Sequence, residues 1–258
     1  MKRRTITAIP LAFSLILICV TLLAGCAAPQ ASDKTLYITG TYGALSRGVY
    51  DGDVTVADLK HQGDFALGNF NALDGEMVGL DGKYYRIGPG GKLNAADDAM
   101  RMSNTTATFF KPYEVIIIDK PMSYQELQQY ISQQLLTQNI FYAIKLNGNF
   151  EFIKARTLTK LDQPYPSTPY STITQNEPTF DFNNVDVVMA MTYSPVQMKD
   201  FVYPGYHAHF ITADGKSGGH VIDARITRGR AEVELLPNFT VNLPQNDRYY
   251  QLNFNESK

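Results

Sequence analysis

The chain has 258 residues, with 23 Lys and Arg against 25 Asp and Glu, 16 Tyr, 14 Phe and only two cysteines. That length is enough for a sizeable core, as one domain or two small ones. The slightly acidic balance, without a basic stripe or long charge block, argues against nucleic acid as a partner.

The first four residues, Met1-Lys2-Arg3-Arg4, are basic and are followed by an almost unbroken apolar run from Ile9 to Leu23. This pattern predicts an export signal over residues 1–25 rather than a fold element. The run ends in Leu23-Ala24-Gly25-Cys26, which resembles the bacterial lipobox, in which the Cys is diacylated and becomes the mature N-terminus. The expectation is an exported lipoprotein held at a membrane through lipid on Cys26, with residues 26–34 as lipidated Cys and tether. A single acyl chain anchors poorly, whereas two or more hold well. Cys19 lies in the segment that would be removed, so the exported domain has no cysteine free for a disulfide. Processing would leave 20 basic against 25 acidic residues.

Thr55 starts a short predicted helix from about Val56 to His61, and His61 reads as a solvated position without a role. Turn signals recur at Asp74-Gly75, Asp81-Gly82, Gly88-Pro89-Gly90-Gly91, Asn147-Gly148 and Asp214-Gly215, between short apolar or aromatic runs. That recurrence predicts a sheet-rich protein. Met77–Leu80 and Lys83–Ile87 form one expected hairpin, and Val115–Ile118 a buried strand. A helix is predicted from about Tyr124 to Leu136, with Ser123 and Glu126 as a capping box and Leu127, Tyr130, Ile131 and Leu135 as its buried stripe. Phe141–Leu146 and Phe150–Lys154 flank Asn147-Gly148 as a second expected hairpin. The proline-punctuated segment 163–170 reads as a surface connection, and it divides an N-terminal sheet half, residues 35–162, from a C-terminal metal-binding half, residues 163–258. The expected fold class is thus α/β (α+β), with two mixed or antiparallel β-sheet halves and few helices. Gly88–Gly91 lacks the Lys-Ser/Thr of a phosphate loop, and the chain has no Gly-x-Ser-x-Gly elbow.

Three of the four histidines fall within fourteen residues, in Gly205-Tyr206-His207-Ala208-His209-Phe210-Ile211-Thr212 and Gly218-Gly219-His220-Val221. Strand-forming runs on either side of Asp214-Gly215 predict a hairpin. His207 and His209, two apart on a strand, share a face. A turn centred between Asp214 and Gly215 sets His209 opposite His220. Three imidazoles then converge on one ion at about 2.0 to 2.1 Å, and three protein ligands leave the open position of a catalytic zinc site.

Several separated blocks resemble the bacterial α-acetolactate decarboxylases. They are Gly63–Phe70 leading to Leu73-Asp74-Gly75-Glu76-Met77, Phe141–Leu146 leading to Lys154-Ala155-Arg156-Thr157, and the two histidine segments, in that order over roughly Leu36 to Pro244. The resemblance implies a two-part α/β fold with mixed sheets, Zn2+ on His207, His209 and His220, and decarboxylation of 2-acetolactate to acetoin. It also implies that Glu76 and Arg156 are the polar active-site pair. The family uses a further glutamate near its C-terminus, for which Glu256 is the available residue, although no surrounding motif aligns. The chemistry suits these residues. Loss of CO2 from a 2-hydroxy-3-oxo acid leaves two electrons on carbon, and a divalent ion chelated by the hydroxyl and ketone oxygens can hold that charge as an enediolate. Arg156 would orient the substrate carboxylate and Glu76 would carry the proton.

The expected partners are this small acid and, through Cys26, a membrane; homodimer formation is left open. Two other readings use the same histidines. One is a zinc hydrolase with Glu76 as base, which lacks His-Glu-x-x-His. The other is a lipid-tethered metal-binding or solute-binding protein, which leaves Glu76 and Arg156 unexplained.

Overall fold

The computed structural model describes residues 34–255. The expected leader, Cys26, the tether up to residue 33 and Glu256 lie outside the described residues. In chain order the elements are β1 (Thr35–Thr39), α1 (Tyr42–Leu45), α2 (Val56–Leu59), β2 (Phe65–Phe70), β3 (Glu76–Leu80), β4 (Lys83–Ile87) and β5 (Leu93–Ala95). Next come β6 (Met102–Thr108), β7 (Glu114–Ile118), β8 (Met122–Ser123), α3 (Tyr124–Gln134), β9 (Phe141–Arg156) and α4 (Tyr170–Asn176). The chain continues through β10 (Thr179–Ser194), β11 (Gly205–Thr212), β12 (Gly218–Leu236), β13 (Asn238–Asn242) and α5 (Asp247–Tyr250).

The strands form two sheets. The first runs β13-β1-β6-β2-β3-β4-β5, antiparallel except for the parallel β1–β13 pair. The second runs β11-β10-β9-β12-β7, with β8 on β12, and β11 also pairs with β12, so the pairings return on themselves. The class is the expected mixed-sheet α+β, but the sheets do not divide at residue 163. Strands β7, β8 and β9 precede that point and belong to the second sheet, while β13 follows it and completes the first. Long-range pairing overrides chain order here, because β9 takes later strands on both of its edges.

The same double pairing corrects the second expected hairpin. Asn147-Gly148 is not a turn; it lies inside the 16-residue strand β9, with Asn147 paired to Val188 on one side and Arg230 on the other. A Cβ at Gly148 would stand 3.0 Å from Ile226 Cδ1 and 3.2 Å from the Arg228 carbonyl oxygen. The glycine therefore permits close strand approach. Val115–Ile118 is also not buried throughout: β7 ends the sheet, with Ile116 and Ile118 inside and Val115 and Ile117 outside.

The two sheets pack face to face. Leu36, Ile38, Phe65, Leu67 and Val78 of the first meet Phe141, Ala143, Ala190 and Leu236 of the second. The outer face of the first sheet is covered by Val56 and Leu59 of α2, and that of the second by Leu127, Ile131 and Leu135 from α3 and its end. Each such fully buried aliphatic side chain stabilises the fold by roughly 1.5–3 kcal/mol. α3 begins as expected: the Glu126 backbone N–H donates to Ser123 Oγ at 3.3 Å, and Glu126 Oε2 accepts from the Ser123 backbone N–H at 2.7 Å. The Met77–Ile87 hairpin also holds, in the expected register.

Candidate active site

Two rows of polar side chains face each other where the apolar filling between the sheets ends. Glu76, Asn69 and Asn104 are direct partners across β3, β2 and β6. His209, His220 and Arg156 are direct partners across β11, β12 and β9. Directly opposed residues share a face, so each row presents one polar edge. The rows touch: Arg156 Nη1 donates to Glu76 Oε1 at 3.2 Å, His209 Nε2 lies 3.5 Å from Glu76 Oε2, and His209 Nδ1 donates to the Met77 carbonyl oxygen at 2.8 Å.

The turn chemistry sets the histidine register. Asp214 Oδ1 accepts from Thr212 Oγ1 at 2.6 Å and from the Lys216 backbone N–H at 3.1 Å, and Gly215 takes a φ of +68°. His209 then falls opposite His220, as the spacing predicts. The glycines before His220 are required by space: a Cβ at Gly218 would stand 2.3 Å from the Phe210 carbonyl oxygen, and one at Gly219 would stand 2.8 Å from Ala155 Cβ.

Three nitrogens converge. His207 Nε2 is 3.1 Å from His209 Nε2 and 3.3 Å from His220 Nδ1, and His209 Nε2 is 3.1 Å from His220 Nδ1. Nitrogens bound tetrahedrally at about 2.0–2.1 Å from one ion stand roughly 3.3 Å apart, so the triangle fits a first-row metal. The bond from Nδ1 to Met77 fixes the His209 tautomer and leaves its Nε2 lone pair free for a metal. Burial holds all three imidazoles below the ordinary histidine range, helped by the nearby Arg156 charge, and His209 is brought down to about 4. They are neutral near pH 7, the form that binds metal.

Glu76 is placed by an unusual approach. The link from β2 puts Ala72, Leu73 and Gly75 at φ values of 57°, 55° and 89°, and the Arg86 side chain holds Asp74 through its carbonyl and carboxylate. The Glu76 side chain is 1% exposed. Burial pushes its carboxyl up to about 7, against the pull of Arg156 and a 2.6 Å hydrogen bond from Asn69 Nδ2 to Oε2, with Glu177 adding a smaller push upward. Glu177 is itself fixed, accepting from the Thr159 backbone N–H and hydroxyl at 2.9 and 2.7 Å.

Arg156, His207, His220, Asn69 and Asn104 line a cavity of about 240 Å³, fenced by Tyr42, Tyr170 and Tyr203. This is below the roughly 300–1,000 Å³ of pockets for drug-sized ligands, and it suits a molecule of few atoms. All five residues expected from the sequence within the described range meet here. His61 is exposed, in the turn after α2. Asn69 was not singled out by the sequence reading, yet its signal was there: it continues the alternation of Phe65 and Leu67 toward the core as a polar residue.

Comparison with known proteins agrees with this geometry. The alpha-acetolactate decarboxylase family profile matches residues 36–256. The chain is 36% identical over 221 residues to the alpha-acetolactate decarboxylase of Methanosarcina mazei, covering 86% of this chain and 76% of that one. It is 36% identical over 223 residues to that of Brevibacillus brevis, covering 86% and 78%. The crystal structure of the Bacillus subtilis strain 168 enzyme superposes with a TM-score of 0.82 at 31% identity, covering 86% of this chain and 94% of that one. Identity at this level across most of both chains, on the same fold, establishes that the chain belongs to the alpha-acetolactate decarboxylase family.

Proposed function

We propose that this enzyme carries out zinc-dependent decarboxylation of 2-acetolactate, 2-hydroxy-2-methyl-3-oxobutanoate, to acetoin and CO2. The observation that carries the reading is the pair formed by part-buried Arg156 and buried Glu76, at 3.2 Å, set against a triangle of three neutral imidazoles. His207, His209 and His220 would hold the ion. Zinc, when bound, supplies Lewis acidity toward the electron density left by the departing CO2.

The protein's own groups do the rest. Arg156 uses Nη1 on Glu76, and the other N–H groups of its guanidinium have no hydrogen-bond partner among the described residues, which leaves them for the substrate's carboxylate. The carbon that loses CO2 must gain a proton. Glu76, whose carboxyl burial pushes upward, is placed beside the imidazoles to deliver one. Three tyrosine rings limit both water and substrate size. Zinc-loaded protein supplied with racemic acetolactate should form acetoin, and lose that activity with a chelator. Hydrolysis of esters or amides without acetoin formation would instead favour a zinc hydrolase, and metal binding without turnover a binding protein.

We further propose that the enzyme is exported and tethered to a membrane by lipid on Cys26. The support is the basic and apolar leader ending in Leu23-Ala24-Gly25-Cys26. A labelled fatty acid should enter the wild-type protein and not Cys26→Ser, and a wild type that takes up no label would refute the tether.

A further inference from the structure

We infer that Asn104 is a substrate-binding residue, and that its carboxamide donates a hydrogen bond to the carboxylate lost as CO2. This rests on the decarboxylase reading. Within the Glu76–Asn69–Asn104 row, the first two members are engaged: Asn69 Nδ2 holds Glu76 Oε2 at 2.6 Å. Asn104 lines the cavity, and its carboxamide has no hydrogen-bond partner among the described residues. Its backbone carbonyl accepts from Thr105 Oγ1 at 2.7 Å, so only the side chain is without a partner.

Asparagine is a poor strand former, and no side-chain contact inside the sheet accounts for this one. Its carboxamide, partly exposed on the cavity wall, is available to a polar ligand. Position selects which ligand group. Glu76 is the row member beside His209, and Asn104 lies two strands further on, roughly 9–10 Å away at the usual strand spacing. A small acid that turns its adjacent hydroxyl and ketone oxygens toward the imidazoles directs its carboxylate away from them. Arg156, from the opposite wall, then supplies charge, and Asn104 supplies a neutral donor.

Neutrality suits a group that leaves as uncharged CO2. A second cation would favour the bound carboxylate over the transition state in which its charge is being lost. A carboxylate at this position would repel the substrate.

The test compares two ligands by calorimetry on zinc-loaded protein. 2-Hydroxy-2-methylbutanoate keeps the hydroxyl and carboxylate but lacks the ketone needed for decarboxylation, and acetoin keeps the hydroxyl and ketone but lacks the carboxylate. Asn104→Ala should weaken binding of the acid by about ten- to hundredfold, the range for a hydrogen bond to a charged group, and leave acetoin within about twofold. Its KM for acetolactate should rise by the factor seen for the acid, with kcat little changed. Asn104→Asp, close in shape, should weaken the acid further and serves as the second variant if the alanine form does not fold. Equal weakening of both ligands, or unchanged binding of the acid with wild-type turnover intact, would overturn the assignment alone. A zinc-loaded wild type that binds neither compound and makes no acetoin would overturn the decarboxylase reading and this assignment with it.

Discussion

His209 and Met77 are joined by a 2.8 Å hydrogen bond from the imidazole Nδ1 to the backbone carbonyl, and Met77 directly follows Glu76. One contact therefore fixes the tautomer of a candidate metal ligand and the position of the strand that carries the buried acid. Because the acceptor belongs to the backbone, substitution at Met77 does not remove it, whereas substitution of His209 removes both a candidate ligand and this hydrogen bond between the sheets.

His207→Ala, His209→Ala and His220→Ala should each bind metal far more weakly, while His61→Ala should keep its full content. Elemental analysis after gel filtration checks this, with about one zinc per wild-type chain as the expected value. Chelation should abolish turnover without loss of the far-ultraviolet circular dichroism spectrum, because the sheets are held together by an apolar cluster of other side chains, and it should lower Tm through the loss of bound ligand.

Glu76→Gln and Arg156→Lys should retain zinc and fold yet lose turnover, by on the order of 10² to 10⁴-fold for removal of a positioned acid or base. Lysine keeps the charge but has no planar fork with which to hold Glu76 and a carboxylate together. Acetoin formation, metal content and Tm, measured on the same preparations, test this. Near-normal acetoin from both variants would exclude these roles.

The Glu76 carboxyl also gives a signed pH dependence in chelated protein. Its folded-state value of about 7 lies above its ordinary 4.5. The neutral acid therefore contributes stability that is fully present below about 4.5 and lost as pH rises through about 7. The three histidines, held below their ordinary value, act in the opposite sense and weaken the fold as pH falls below 6.5. The difference in Tm between chelated wild type and Glu76→Gln isolates the carboxyl: wild type should gain relative to the variant as pH falls from 7 to 4.5. A flat difference would show that Glu76 titrates normally.

Gly218→Ala should damage metal binding from outside the ligand set, since its Cβ would stand 2.3 Å from the Phe210 carbonyl oxygen and push β12 from its register with β11. Zinc content should fall together with Tm. Ser123→Ala, at the N-terminus of α3, should cost about 1 kcal/mol with metal content and turnover unchanged. Denaturant melts on the two variants separate local helix loss from damage at the site.

The histidine site was legible because everything that defines it is local: alternation puts His207 and His209 on one face, and Asp214-Gly215 sets the opposing register. Glu76 and Arg156 are 80 residues apart, and only the family resemblance linked them to each other and to the histidines. Asn69 carries a local signal in the alternation of β2, but its partnership with Asn104 comes from pairing across β2 and β6, which no short segment encodes. Asn147-Gly148 misled for a related reason. An Asn-Gly pair favours a turn when the flanking runs can pair with each other, but here each run finds better partners in β10 and β12. The supposed boundary at residue 163 had the same origin, in a proline-rich connection that interrupts composition without separating sheets.

The parallel pairing of β1 with β13 has a consequence for synthesis on the ribosome. β1 is among the first strands to emerge, yet its outer edge is covered only when Asn238–Asn242 arrive about 200 residues later; at roughly 5–20 residues per second, that edge stands open for about ten seconds or longer. The exposed strand reads Thr35-Leu36-Tyr37-Ile38-Thr39, which is uncharged, β-branched and aromatic, the composition most prone to pair with another nascent chain. A copy that terminates before β13 would keep His207, His209 and His220 but leave the β1 edge open, so premature termination should yield a species prone to edge-to-edge pairing.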